Sequence, residues 1–262
     1  MSPVLSAAVL PSAAAALPSA WSSLSALSAR VGAALPAAKG DPTWLDNPAL
    51  TKQFFPAIGE TLLMVGFSTL FTVLIGLPLG LFMVQTSSTG LTPRPTFHRV
   101  AGTIINVMRS FPFIILIIFM LPLTRILVGT TLGWQATVVP LVVGAIPFFA
   151  RLVESNVQAL DAGKIEAAQM MGASNRSIRW GVQVREALPS LVQSTTTLAI
   201  TLIGYSAMAG AVGGGGLGQM AINYGYNRFQ VDVMISTVVA IIVIVQLIQW
   251  AGDMISRLVD HR

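Results

Sequence analysis

The chain has 262 residues; 54% of them are hydrophobic, only 10% are charged, and the mean hydropathy is +0.75. A soluble domain carries roughly 25% charged residues, so this chain has too little polar surface to fold as a soluble globule and is predicted to cross a membrane several times. It contains no cysteine, which excludes disulfides, thiolate catalysis, zinc ribbons and iron–sulfur ligation.

Neither the histidines nor the net charge indicates a bound metal or nucleic acid. His98 and His261 lie far apart in polar segments, so we expect no metal site. The net charge of +5 would suit a nucleic acid. In an apolar chain, however, basic residues more often mark cytoplasmic loops, and we expect no nucleic-acid partner.

Residues 1–50 are predicted to be a poorly ordered extension rich in Ala, Ser and Pro, followed by a membrane domain over residues 51–262. The segment Ser2–Ala29 carries no charge, so it lacks the basic start of a signal peptide. Pro11 and Pro18 interrupt this segment, which disfavours a sixth span. An extra span and a helix lying in the membrane interface are the alternatives.

Five apolar stretches have the roughly 20 residues that a helix needs to cross a bilayer core. They cover residues 58–84, 103–126, 135–160, 187–212 and 233–252. None shows the alternating segments of about ten residues that build a β-barrel. The sequence therefore predicts an all-α, polytopic membrane protein with five transmembrane helices.

The basic residues predict how these helices are oriented, because Lys and Arg concentrate in cytoplasmic loops. One side of the predicted membrane carries Arg94, Arg99, Lys164, Arg176, Arg179, Arg185, Arg257 and Arg262. The other side carries Lys52, Arg125 and Arg228. We therefore expect the N-terminus outside and the C-terminus in the cytoplasm.

The second and third predicted spans contain Arg109, Arg151 and Glu154, and a charge inside a membrane is costly and tends to be paired or close to water. Arg151 and Glu154 are three residues apart on the third span and so share one helix face. We interpret them as a structural ion pair, with a role in coupling as the alternative. Arg109 is expected to position the cytoplasmic end of the second span, which Pro112 is predicted to kink.

The fourth span carries small and hydroxyl residues along its length, which allow close helix packing and hydrogen bonds between helices. Its candidates for a transport pathway or gate are Tyr205, Ser206, Met208 and Gly210. Helix packing alone is the alternative. The glycines at 213–216 and 218 end the span and are not a phosphate-binding loop, because no Gly-Lys pair follows them.

The loop over residues 161–186 is longer than the roughly 2–8 residues that usually join two packed helices. Asp161 is predicted to cap a first short helix, and Gly172 to end it. A second helix is predicted from Ser174 toward Gly181. Two short helices with small residues and mixed charge indicate a docking surface, with an amphipathic loop on the lipid headgroups as the alternative.

This loop contains the pattern E-A-A, three residues, then G. The pattern resembles the cytoplasmic loop of ATP-binding-cassette import permeases, in which the helix fits a groove of a separate ATPase subunit. The docking residues implied by the resemblance are Ile165, Glu166, Ala167, Ala168, Met171 and Gly172. Val184-Arg185 stand where that family usually has Leu-Pro, and a Leu-Pro follows at 188–189, which leaves the local bend open.

Further motifs resemble the methionine-uptake branch of these binding-protein-dependent, type I permeases. They are Glu60-Thr61, Arg109–Phe113, Arg151–Glu154, Gly204–Gly213, Gly215–Gln219 and Tyr224–Tyr226. The likeness covers residues 53–262.

The resemblance implies the membrane-spanning permease subunit of an ATP-driven importer in a bacterial inner membrane. Its cargo would be L-methionine, and also D-methionine, delivered by an external binding lipoprotein. The permease would act as a homodimer with two cytoplasmic ATPase subunits. Because those subunits would bind the ATP, this chain would be no enzyme and would hold no cofactor and no catalytic residue.

Other functions fit the sequence less well. A permease for another amino acid or small solute is the nearest rival, because no charged residue in the spans is placed to hold an amino acid. An independent channel or secondary transporter usually shows intramembrane carboxylates or paired broken helices, and the first, fourth and fifth spans hold no such charge deep inside. An intramembrane enzyme would need a Ser/His, paired-Asp or metal set within the spans.

Overall fold

The computed structural model describes residues 46–260, so the predictions for residues 1–45 lie outside the described part of the chain. Within that part the regular structure is helical, as predicted. The helices are α1 Pro48–Thr86, α2 Pro95–Arg109, α3 Phe113–Val128, α4 Trp134–Gln158, α5 Ala162–Met170, α6 Asn175–Glu186, α7 Leu188–Ala209, α8 Gly216–Met220 and α9 Val231–Val259.

Helix α1 contains the first predicted span and begins ten residues before it, within the last residues of the predicted extension. Asn47 caps it, because its side-chain oxygen accepts a hydrogen bond from the N–H of Ala49 at 2.9 Å. Pro48 occupies the first turn, where a missing N–H leaves no helix bond unmade. The Asn47 amide also donates to Asp232 at 3.0 Å, which joins the starts of α1 and α9.

The core is built around α4, which packs against α1, α3 and α7. Two glycines let α1 approach α4 closely: a β-carbon on Gly80 would lie 2.6 Å from the side chain of Val153, and one on Gly76 would lie 2.9 Å from the ring of Phe149. Both partner side chains are fully buried. Lipid tails are as apolar as the helix surfaces, so no hydrophobic effect drives membrane helices together. Small residues stabilise such contacts because they allow the two helices to pack closely.

The second predicted span, over residues 103–126, is wrong as a single helix. Helices α2 and α3 meet at 102° across Ser110–Pro112. Pro112 offers no N–H and its ring blocks the preceding turn, so α2 ends at Arg109 and a new helix begins at Phe113. The 16 residues of α3 extend about 24 Å, so α3 alone is shorter than a bilayer core.

The remaining predicted spans correspond to helices. Residues 135–160 match α4, residues 187–212 match α7 with the 3₁₀ turn Gly210–Val212, and residues 233–252 lie within α9. In the described part of the chain, α1, α4 and α9 are each long and apolar enough to cross a membrane. The bent pairs α2–α3 and α6–α7 bring the total to five, if each pair counts as one span.

The start of the 161–186 loop folds as predicted. Asp161 caps α5 by accepting a hydrogen bond from the N–H of Gly163 at 2.9 Å. Gly172 has a φ of +76°, which is the left-handed conformation that ends many helices and that glycine adopts without strain. The helix after it is capped by Ser174, whose hydroxyl accepts from the N–H of Ser177.

The end of the same loop differs from the prediction. Gly181 does not stop the second helix: α6 runs on to Glu186 through a π-helical turn at Ile178–Gln183. The bend that the sequence leaves open is present, at 69° between α6 and α7. Pro189 lies in the first turn of α7. Its ring prevents a straight helix from continuing through Ala187, so the shifted Leu-Pro still makes the corner.

The chain after α7 returns toward α1 through a glycine turn. Gly213, Gly215 and Gly216 all have positive φ values, which glycine adopts freely. Glu60 and Thr61 of α1 hold this turn: the Glu60 carboxylate accepts from the N–H of Gly216 at 2.7 Å, and the Thr61 hydroxyl accepts from the next N–H at 2.9 Å. A charge in the apolar helix α1 is thus explained by the backbone donors it satisfies.

Candidate docking helix and membrane pathway

Helix α5 presents one face outward and the other toward its own chain. Met170 and Met171 are 89% and 81% exposed, and Glu166 and Ala167 are exposed beside them. Ala168 is only 5% exposed, and Ile165 is half-buried. Of the six predicted docking residues, the structure therefore exposes Glu166, Ala167, Met171 and Gly172 and turns Ile165 and Ala168 inward.

Met170 is the exposed residue that the sequence motif does not include. It lies four residues after Glu166, just as Met171 lies four residues after Ala167, and residues at that spacing share a helix face. Once Ala168 is known to face inward, the helical period predicts that Met170 faces outward. Two adjacent exposed methionines give this face a flexible apolar surface that adapts its shape to a partner.

The docking helix is joined firmly to the helix that follows it. The Lys164 ammonium lies 2.5 Å from the Glu186 carboxylate at the end of α6. The N–H of Ala173 donates to the carbonyl of Ala168 at 3.1 Å across the corner between the two helices. The hydrogen bonds from Ala187 N–H to Gln183 and from Leu191 N–H to Ala187 carry helical bonding through the next corner into α7. Apart from the short corner at residues 171–174, the path from α5 to α7 is therefore helical throughout.

A cluster of charged and polar residues joins α2 to α4. The Arg151 guanidinium lies 2.6 Å from the Glu154 carboxylate, in the contact that their spacing predicts, and it also donates to the carbonyl of Gly102 at 3.2 Å. His98 of α2 approaches the other Glu154 oxygen at 3.7 Å. Glu154 is 4% exposed. No sequence pattern indicates the role of His98, because its pairing joins distant parts of the chain.

The four pathway candidates of α7 point in different directions. Tyr205 stacks on Phe113 of α3, with ring centroids 4.4 Å apart. Ser206 is buried, and its hydroxyl donates to the carbonyl of Ile203 at 2.8 Å. Gly210 is also buried, because the backbone of Gly218 lies directly against it. Met208, at 42% exposure, is the candidate that lies on the open side of the helix.

Met208 belongs to an exposed stripe of small and polar residues, which we call the α7 stripe. It consists of Gln193, Thr197, Gly204 and Met208. The hydroxyl of Thr197 donates to the carbonyl of Gln193 at 3.0 Å. The exposed sides of α1 and α9 instead carry mostly Leu, Ile, Val and Phe. A face of this composition suits another protein chain or water better than lipid.

Arg109 lies at the break within the predicted second span, whereas the sequence predicts it near the cytoplasmic end of that span. It is the last residue of α2, at the break between the two halves of that span. There it lines a cavity of about 160 Å³ together with residues of three other helices, among them Gly144 near the middle of α4. The structure places Arg109 between the two helices that replace the single predicted one, and its positioning role stays a prediction.

A polar cavity lies at the glycine-turn end of α7. A cavity of about 530 Å³ is lined there by Lys52, Glu60 and Asn223, together with the turn glycines. Arg228 lies over the Tyr224 ring at 4.6 Å from its centroid. The 22 residues of α7 are about 33 Å long. The cavity therefore lies about a membrane thickness from the other end of α7, where the chain comes in from α5 and α6.

Residues 76–262 match the family model described as "binding-protein-dependent transport system inner membrane component". The chain belongs to this family. The matched range includes the docking helix α5, the α7 stripe, the break at Arg109 and the charged cluster on α2 and α4.

Two relatives of known family resemble the chain over most of its length. It is 45% identical over 206 residues to the probable D-methionine transport system permease protein MetI of Vibrio cholerae, covering 79% of this chain and 92% of that protein. It is 47% identical over 217 residues to the protein of the same name in Pasteurella multocida, covering 81% of this chain and 100% of that protein.

The fold of the chain is also similar to that of a solved structure, described as "Inward facing conformations of the MetNI methionine ABC transporter: CY5 native crystal form". The TM-score is 0.80 at 43% identity, and the match covers 82% of this chain and 100% of that one.

Family membership makes the chain a multi-pass inner-membrane permease subunit of a binding-protein-dependent importer. A permease needs a route for a polar solute through lipid and a surface on which its driving partner can act. In this permease the α7 stripe and the exposed face of α5 have the composition that suits those two tasks.

Proposed function

We propose that this permease imports methionine, in both its L and D forms, as one half of a homodimer driven by two ATPase subunits. The observation that carries the proposal is the identity of 45–47% to two D-methionine permeases over nearly their whole lengths. The likeness covers 79–81% of this chain.

The homodimer would form across the α7 stripe. One chain has this small and polar face uncovered, and a second copy related by a two-fold axis would bring two such faces together. The space between them would be a route lined by Thr197, Gly204 and Met208. A pair of Met208 side chains, flexible and apolar, would close the route when no cargo passes.

The ATPase subunits would dock on the exposed face of α5, which places α5 in the cytoplasm. The four basic residues of the 161–186 loop support this orientation, because basic residues concentrate on the cytoplasmic side. The N-terminus would then be outside and the C-terminus inside. The glycine-turn end, with its polar cavity, would face the external binding protein that delivers the cargo.

Transport would follow from the firm link between α5 and α7. ATP binding would draw the two ATPase subunits together and carry the two α5 helices with them. The movement would pass through α6 to α7 and shift the route from inward-open to outward-open. ATP would be bound and hydrolysed by the partner subunits, and this chain would supply the route and the lever.

The test is uptake by proteoliposomes that contain the permease–ATPase complex, with the binding protein outside and ATP inside. We expect ATP-dependent uptake of labelled L-methionine and D-methionine, and little uptake of glutamine or arginine. The ATPase alone, without the permease, is the blank. Uptake of a different amino acid in place of methionine would support the rival amino-acid permease, and uptake without ATPase subunits would support an independent transporter.

A further inference from the structure

The break between α2 and α3 brings a charged side chain and aromatic rings together around a small cavity. The cavity has a volume of about 160 Å³. It is lined by Met108, Arg109, Phe111, Phe113, Phe148 and Tyr205, with Leu116 and Gly144. These residues come from α2, α3, α4 and α7 and from the segment that joins α2 to α3.

The position of this cavity along α4 is far from both ends of that helix. Its lining residue Gly144 packs against α3, since a β-carbon there would lie 3.5 Å from the ring of Phe113. Gly144 follows the first residue of α4 by ten positions and precedes the last by fourteen, which are about 15 Å and 21 Å of helix. Arg109, whose side chain is exposed on this chain, therefore lies beside the middle of α4 and not beside either of its ends.

Arg109 carries its charge at this depth without an ion pair to any of the residues 46–260. A charged side chain at membrane depth is costly, and such residues face a water-filled space, pair with one another or mark the path of a substrate. Arg151, by contrast, is satisfied by Glu154. The guanidinium of Arg109 has no carboxylate partner among the described residues, and its planar fork matches a carboxylate.

The helix break adds partial charges of both signs to the same place. The carbonyl end of α2 is partly negative, and the N–H end of α3, where the first amides have no partner within the helix, is partly positive. The two ends meet across Ser110–Pro112. An ammonium group is favoured at the first end and a carboxylate at the second, which is the arrangement that a zwitterionic amino acid needs.

The other walls of the cavity are apolar and aromatic. The parallel rings of Phe113 and Tyr205 form one wall, at an interplanar angle of 6°, and Met108 and Phe148 contribute to the rest. Aromatic rings make favourable contacts with a thioether sulfur. The volume of about 160 Å³ is that of roughly five water molecules, which is enough for one amino-acid side chain.

We propose that this cavity is a substrate subsite within the membrane, in which Arg109 binds the carboxylate of methionine and the aromatic rings hold its side chain. The proposal rests on the proposed function and names the residues that recognise its cargo. Tyr205 lies on α7, so a movement of α7 opens or closes one wall of the subsite. The affinity of the subsite therefore depends on the state of the transporter.

The experiment measures equilibrium binding of labelled L-methionine to the detergent-solubilised permease–ATPase complex without binding protein, with the ATPase alone as blank. L-methioninamide, which keeps the ammonium and the side chain but lacks the carboxylate, is the competitor. We expect the complex to prefer methionine by about tenfold or more, because the pair of guanidinium and carboxylate is charge-assisted. Arg109→Gln should lose that preference, and Arg109→Lys should retain part of it.

Two further variants separate recognition from folding. Arg125→Gln removes an exposed arginine of α3 outside the cavity and should leave binding unchanged. Gly144→Ala adds a methyl group that would lie 3.0 Å from Leu116, so it should weaken binding of methionine more than binding of alanine. Each variant complex is first checked for intact assembly by gel filtration.

The subsite would be refuted if the wild-type complex showed no saturable binding at millimolar methionine. It would be refuted equally if an assembled Arg109→Gln complex kept the wild-type preference over methioninamide, or bound both compounds less well by the same factor. Both results leave the proposed function standing as long as proteoliposomes import methionine. If they import another amino acid instead, the proposed cargo is wrong whatever Arg109 does.

Discussion

The two bent helix pairs of this permease turn at prolines but differ in what happens to the backbone. At α6–α7 the bend is 69°, and hydrogen bonds continue through the buried Ala187 from one helix into the next. At α2–α3 the bend is 102°, three residues leave the helix, and an arginine ends the first half. The α6–α7 corner keeps the backbone hydrogen bonds that can transmit a movement. The α2–α3 corner lacks them and instead has two free helix ends, which can bind a charged molecule.

The largest difference between the two corners is expected when two glycines are inserted at each of them in turn. After Ala187 the insertion should abolish uptake and the stimulation of ATP hydrolysis by loaded binding protein, because a flexible link no longer passes the movement of α5 to α7. After Ser110 it should abolish methionine uptake but leave the stimulation of hydrolysis, since α5, α6 and α7 are untouched. Loss of stimulation in both proteins, with assembly intact, would contradict the division of roles.

A charge on the outer face of α5 should have the next largest effect. Ala167→Arg places a large cation on the exposed docking face and should abolish co-purification with the ATPase while the permease still inserts in the membrane. Asn175→Arg, an equally exposed position at the start of α6, is the matched control and should co-purify normally. If the two variants behaved alike, the docking surface would lie elsewhere.

Removal of the Glu154 charge should have an intermediate effect, on stability rather than on docking. Glu154→Gln leaves Arg151 without its carboxylate and frees His98, so α2 is held less firmly against α4. The arginine is partly exposed, so we expect a loss of only about 1–2 kcal/mol and a melting temperature lower by roughly 2–8 °C. Thermal unfolding of the purified complex measures this, with the exposed Asp46→Asn as control. Equal melting temperatures would show that the cluster stabilises nothing.

The smallest effect is expected from the ion pair between α5 and α6. Lys164 and Glu186 are both partly exposed, and such pairs contribute about 0–1 kcal/mol. Lys164→Met should therefore reduce uptake slightly in low salt and not at all in high salt, where ions screen the pair. A large loss of uptake that persists in high salt would mean that Lys164 contacts the ATPase directly.

The sequence was sufficient for the helices whose signal is local. Apolar length alone predicts α1, α4 and α9, and Asp161 and Gly172 mark the ends of α5 by well-understood capping chemistry. The sequence predicts a kink at Pro112 but not the complete break at Ser110–Pro112, because apolar residues continue on both sides and hydropathy does not report the direction of a helix. A proline was visible there, yet prolines at 140 and 147 lie inside the unbroken α4.

The candidate sites were predictable as far as their chemistry is local. The motif indicates the docking helix, but which of its faces is outward depends on what packs behind Ala168. The four residues of α7 were grouped by proximity in the chain, although Ser206 and Met208 face opposite ways. Arg109 was visible as a charge, but its function as a candidate subsite depends on Phe148 and Tyr205, which only folding brings beside it.

The π-helical turn of α6 sets the phase of everything that follows it. The buried residues along this unit are Ile178, Gln183, Ala187 and Leu191, so the step across the π turn is five residues and the later steps are four. The π turn therefore takes up one extra residue without changing which face of α6 points inward. Deleting one residue from the turn would shorten the step to four, the step of an ordinary α-helix, so Ala187 should stay in the core.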